Sequence, residues 1–208
     1  MTGRKSKLKC SCLSIQGAIG SRVKIDASYL SPNVNLASRL ESATKQYGVP
    51  LLMSEQFFGG LSGSIQSTCR RCDKVIFKGS TDPIVIYTQD LAPLAGYQQR
   101  QTSETPNHLA ELLRLTAYDE TVQDKYRGLL ADVQAKLDSS SELAHREVYD
   151  FLFNSYLDRA WNRCRLLCHI WLKTFPADAI VHSLVKHLAV HDFQCPDNWP
   201  GYHRLTDK

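Results

Sequence analysis

Apolar positions recur along this chain with two periods, and the change from one to the other divides it. From 10 to 91, short apolar runs alternate with Gly, Ser and Pro, which predicts strands and one helix. "LSIQGAIGS" (13–21) reads as a strand entering a Gly-bounded turn. "VKIDASYL" (23–30) alternates Val23, Ile25, Ala27 and Tyr29 as a half-buried strand does. Ser31 and Pro32 supply a cap and a first-turn proline for a helix of about four turns, which Gly48 ends. On that helix Leu36, Leu40, Ala43 and Tyr47 form an apolar stripe, and Asn35, Arg39, Ser42 and Gln46 form a polar one opposite.

"VPLLMS" (49–54) predicts a buried strand, followed by a short helical "EQFFGGL". "CDKVIFKG" (72–79) and "PIVIYTQDL" (83–91) predict an antiparallel hairpin across Gly79-Ser80-Thr81-Asp82. The order β, β, α, β, β, β is that of an α+β fold, an antiparallel sheet with one face covered by the helix.

Beyond 107 the period becomes helical. Leu109, Leu112 and Leu113, then Leu129, Val133 and Leu137, predict one or two helices over 108–137. Further helical segments are expected at 142–176 and 178–191, as a helical region appended to the sheet. The expected organisation is a basic tail (1–12), an α+β domain (13–97), a polar linker (98–107, "QQRQTSETPN") and a helical region (108–208).

Composition changes this picture little. Apolar content of 43% and charged content of 22% suit a globular chain with a core, and the net charge of +4 is mild. The basic run Arg4, Lys5, Lys7, Lys9 has no supporting basic or aromatic stripe elsewhere, so no nucleic-acid partner is expected. No stretch approaches the roughly 20 apolar residues of a bilayer-spanning helix, and a soluble, cytoplasmic protein is expected. Seven cysteines without a secretion signal suggest reduced thiols. Cys10-x-Cys12 has poor zinc-ligand spacing to combine with Cys69-x-x-Cys72, so no metal site is assigned, while Cys164 and Cys168 read as small buried hydrophobes.

A resemblance gives Asn35 and Arg39 a sharper meaning. "GAIGSRVKIDASYLSPNVNLASRLESATKQYGVPLLMSE" followed by "CRRCDKVIFKGSTDPIVIYTQDL" resembles the C-terminal half of the class III adenylate and guanylate cyclase catalytic domain. The resemblance covers 13–91 and rests on Val34-Asn35-x-Ala37-x-Arg39-x-Glu41, Gly48, Ser54-Glu55 and Phe77-Lys78-Gly79 before a Pro-x-x-x-Tyr strand. The tail "NWPGYHRLTDK" (198–208) also resembles the end of some large microbial eukaryotic cyclases.

The resemblance implies part of a ferredoxin-like βαββαβ core and a site shared by two catalytic domains paired head to tail. It implies that Asn35 orients the ribose of ATP or GTP, Arg39 stabilises charge on the α-phosphoryl group, and Lys78 contacts the triphosphate. Phosphoryl transfer needs positioning and positive charge on developing oxyanions, which these residue types provide. Ser28, seven residues before Asn35, falls where the family selects its base; it is nearest to the Thr of some soluble adenylate cyclases and leaves the base open.

The family's two Mg²⁺- or Mn²⁺-binding aspartates belong to the first half of its domain, and residues 1–22 contain no aspartate. The expectation is therefore the C-terminal portion of a cyclase, from a truncated or partial gene product of a longer signalling protein, with a membrane-bound parent among the options. Such a chain is expected to be inactive alone and to need a second cyclase catalytic domain. The alternative is a non-catalytic cyclase-homology module that binds and modulates a cyclase.

Overall fold

A computed structural model describes residues 15–21, 24–78, 80–89 and 120–205. The basic tail, the linker, the segment 108–119, Cys10 and Cys12 lie outside these residues. The chain divides into two compact units, 1–90 with 205–208, and 91–204.

The first unit is α+β. Strands β1 (Ile15–Gly20) and β2 (Ile25–Leu30) pair antiparallel, with Ile15 opposite Leu30 and Gly20 opposite Ile25. They form a two-stranded sheet of their own, where one common sheet was expected. The other sheet has the order β3-β5-β4-β6, from β3 (Met53–Ser54), β4 (Cys69–Phe77), β5 (Ile84–Gln89) and β6 (His203–Leu205), whose Leu205 belongs to this unit. Both β3 and β4 run antiparallel to β5.

Helix α1 (Pro32–Tyr47) is bounded by its local chemistry. The Asn33 N–H donates to Ser31 Oγ at 3.2 Å, and Gly48 ends the helix with φ of 64°, where its N–H reaches the Thr44 carbonyl. The buried stripe is Ala37, Leu40, Ala43 and Tyr47; Leu36 is only half-buried.

Strand β4 carries a bulge. Arg71 faces Tyr87 and Asp73 faces Ile86, so Cys72 is an extra residue, and Asp73, Val75 and Phe77 all turn to the buried face. Short helices α2 (Glu55–Gly59) and α3 (Gly63–Gln66) follow β3. Phe58 of α2 stacks flat on Tyr87, with centroids 4.0 Å apart. Tyr87 points away from the side that holds Ile86 and Thr88, so α1 and α2 cover opposite faces of the sheet.

The described part of the second unit is mainly helical: α4 (Glu120–Asp138), α5 (Glu142–Leu157), α6 (Trp161–Thr174) and α7 (Ala179–Ala189). The helical segment expected at 142–176 is two helices, because Arg159 adopts φ of 63° and donates from Nη2 to the carbonyls of Pro196 and Asp197, both at 2.9 Å. Tyr156, Trp161 and Trp199 pack ring on ring at 5.1–6.1 Å in the core. His145 Nε2 donates to the Leu137 and Ser139 carbonyls at 3.1 and 2.8 Å, closing the end of α4.

Candidate functional site

The candidate site lies on the polar border of α1 and the end of β4. The Ser31 cap and the buried Ala37–Leu40–Ala43–Tyr47 stripe fix which way α1 faces, and this leaves Asn35 exposed. Arg39 is one turn further along. It is half-buried, at the edge of the packed face and not directly opposite it, and its Nη1 donates to the main-chain carbonyl of Lys78. Lys78 follows the last residue of β4 and its side chain is exposed. Two positions 39 residues apart are thus brought into direct contact.

The contact puts Asn35, Arg39 and the backbone of Lys78 along one rim. The Arg39 contact uses one of five guanidinium donors, so the rest of the fork remains able to bind phosphoryl oxygens. Within the described residues the Asn35 side chain makes no hydrogen bond, and its amide can both donate and accept. Ser28 sits on β2 opposite Gly17, in the separate two-stranded sheet.

At the C-terminal end of α1 is a contact that pattern-reading of the chain misses. Tyr47 Oη donates to Asp73 Oδ2 at 2.6 Å, and the Lys74 N–H donates to Asp73 Oδ1 at 2.7 Å. Tyr47 and Asp73 are 2% and 6% exposed, so the carboxylate is buried under the helix. A signal existed in the sequence: Asp73 falls on the same alternation as Val75 and Phe77, an acid where an apolar residue is due.

Over 74 residues the chain is 36% identical to an adenylate cyclase of Anabaena cylindrica. The matched stretch is 35% of this chain and spans only 15% of that cyclase. No model of a known protein family and no solved structure matches the chain. Part of this chain is therefore similar in sequence to an adenylate cyclase.

Other side chains with chemical potential do not join the rim. Among the described residues no group of three His, Cys, Asp or Glu could hold a metal ion. Asp73 is engaged by Tyr47 and its own strand. Cys69 and Cys72 are buried, and Cys69 Sγ donates to the Ile65 carbonyl at 3.2 Å. Among the described residues no helix is long and apolar enough to cross a membrane.

Proposed function

We propose that this chain is the C-terminal portion of a class III nucleotide cyclase and supplies half of a composite active site. The partner is a second cyclase catalytic domain. The reaction converts a nucleoside triphosphate, ATP or GTP, to the 3′,5′-cyclic nucleotide and pyrophosphate. The observation that carries this reading is the contact of Arg39 with the Lys78 main-chain carbonyl, which brings these two positions together, with Asn35 a turn before Arg39 on α1. The partial similarity to an adenylate cyclase supports it.

In this reading Asn35 orients the ribose so that the 3′ oxygen faces the α-phosphorus. Arg39 neutralises charge on the α-phosphoryl oxygens as the new O–P bond forms and the bond to the pyrophosphate oxygen breaks. Lys78 holds the departing pyrophosphate. Fixed positive charge is effective because it is already in place when the transition state's charge develops. Asn35, Arg39 and Lys78 include no general base, so the 3′ proton and the metal ions, Mg²⁺ or Mn²⁺, are handled by carboxylates of the partner domain. Alone, the chain is inactive.

The test mixes the full chain with a purified metal-binding cyclase half, Mn²⁺, and ATP or GTP. Cyclic nucleotide that disappears with Arg39→Ala is the expected result. No product from the wild-type mixture overturns the catalytic reading, and binding indifferent to Arg39→Ala points instead to a non-catalytic module that modulates a cyclase.

A further inference from the structure

We propose that Tyr47 and Asp73 are positioning residues: their buried hydrogen bond fixes where α1 sits along β4, and thereby where Arg39 and Asn35 are presented. This rests on the reading that α1 offers those two residues to a nucleotide. Apolar packing is non-directional, and the stripe of Ala37, Leu40 and Ala43 is largely small, so it does little to stop α1 from sliding on the sheet. One step of such sliding is a helical turn of about 5.4 Å, enough to carry Arg39 out of reach of any phosphoryl group it served. A hydrogen bond to a buried carboxylate is directional, and its loss leaves a charged group without that donor.

Two ties join the same pair of elements. Tyr47 meets Asp73, and eight residues earlier on α1 Arg39 meets Lys78, five residues beyond Asp73 and just past the end of β4. Eight helical residues rise about 12 Å and five strand residues about 16 Å, a mismatch that a long arginine side chain spans. The helix therefore runs antiparallel to the strand and is held at two points. The lower tie exists because of the bulge: in an unbroken ladder Cys72 would stand opposite Ile86, and the alternation of β4 would carry Asp73 to the opposite face.

The experiment labels arginine in the full chain and follows the Arg39 guanidinium N–H signals by NMR, assigned through their loss in Arg39→Lys. In the wild type, bonding to the Lys78 carbonyl is expected to give resolved, slowly exchanging signals. Tyr47→Phe deletes only the hydroxyl and should broaden or remove them. Asp73→Asn keeps a polar partner and should retain them. Since either change could unfold the protein, the double variant Tyr47→Phe/Asp73→Leu is included. Replacing both by apolar groups avoids leaving either buried without the other, and it does not restore direction.

Thermal melting near the wild-type value together with lost Arg39 signals supports positioning. Arg39 signals that persist in Tyr47→Phe, or return with stability in the double variant, overturn it. In the mixed assay, the double variant should turn over about 10–100-fold more slowly, with half-saturating nucleotide within about twofold. If the wild-type mixture makes no cyclic nucleotide, the functional reading fails, and the Arg39 signals still decide the positioning role.

Discussion

Arg39 donates from its guanidinium to the main-chain carbonyl of Lys78, and so the polar border of α1 is tied to the end of β4. The bond is peripheral, so it matters little to stability. Arg39→Ala is expected to cost no more than about 1 kcal/mol in urea unfolding. In the mixed cyclase assay the same change should lower turnover by about 10²–10³-fold, the scale for loss of one preorganised charge-stabilising donor. Arg39→Lys should recover little, because an ammonium lacks the planar fork.

The two ends of α1 give a prediction independent of function. Gly48 holds φ of 64°, a left-handed conformation that costs an L side chain about 1–2 kcal/mol. Gly48→Ala should destabilise the first unit by that amount, and Ser31→Ala by about 1 kcal/mol through loss of the cap. Amide hydrogen exchange of α1 reads both.

In the second unit Asp178 serves three donors. Its Oδ1 accepts from the N–H groups of Ile180 and Val181 at 3.1 and 3.2 Å, and its Oδ2 accepts from Trp171 Nε1 at 2.9 Å. Asp178→Ala removes a helix cap and orphans a buried indole, for a combined cost of about 2–4 kcal/mol. Asp178→Asn keeps an acceptor and should cost less. Urea unfolding followed by tryptophan fluorescence measures this, since Trp161, Trp171 and Trp199 all lie in the second unit.

Burial, with Lys173 one turn on, holds the His169 imidazole below its ordinary value of 6.5. The unfolded chain then takes up this proton more readily than the folded one. The stability involved is fully present above pH 6.5 and is lost as pH falls through the lowered folded value. His169→Gln should flatten the pH dependence of the urea midpoint across that interval, and parallel curves for the two proteins would refute the assignment.

Burial pushes the Cys168 thiol well above its ordinary value, with a further contribution from Cys164, whose sulfur lies 4.0 Å away. Both thiols are buried and should resist alkylation until the unit unfolds, Cys168 also because the thiolate is the nucleophile. Half-buried Cys195 should react before either of them. Peptide mass mapping after brief iodoacetamide treatment distinguishes the three.

The elements that could be read from the chain are those whose signals are local. Ser31, Pro32 and Gly48 mark both ends of α1 because each acts on its own backbone. The hairpin of β4 and β5 follows from two alternating runs across a polar turn. The division of 142–176 into α5 and α6 carries no Gly or Pro to announce it. It depends on Arg159, which is held in a left-handed conformation by carbonyls 37 and 38 residues away.

The sequence by itself determined the α+β character of the first unit and the helical periodicity of the second, while Asn35, Arg39 and Lys78 were singled out only through the resemblance to a cyclase. The first two follow from periodicity and capping, which are properties of short stretches. Only the tertiary structure decided that β1 and β2 form their own sheet, that Cys72 bulges β4, and that Asp73 turns inward to meet Tyr47. It also decided that Arg39 touches Lys78. Strand pairing, phase along a bulged strand and contact between distant residues depend on which surfaces meet, and short-range pattern carries no record of that.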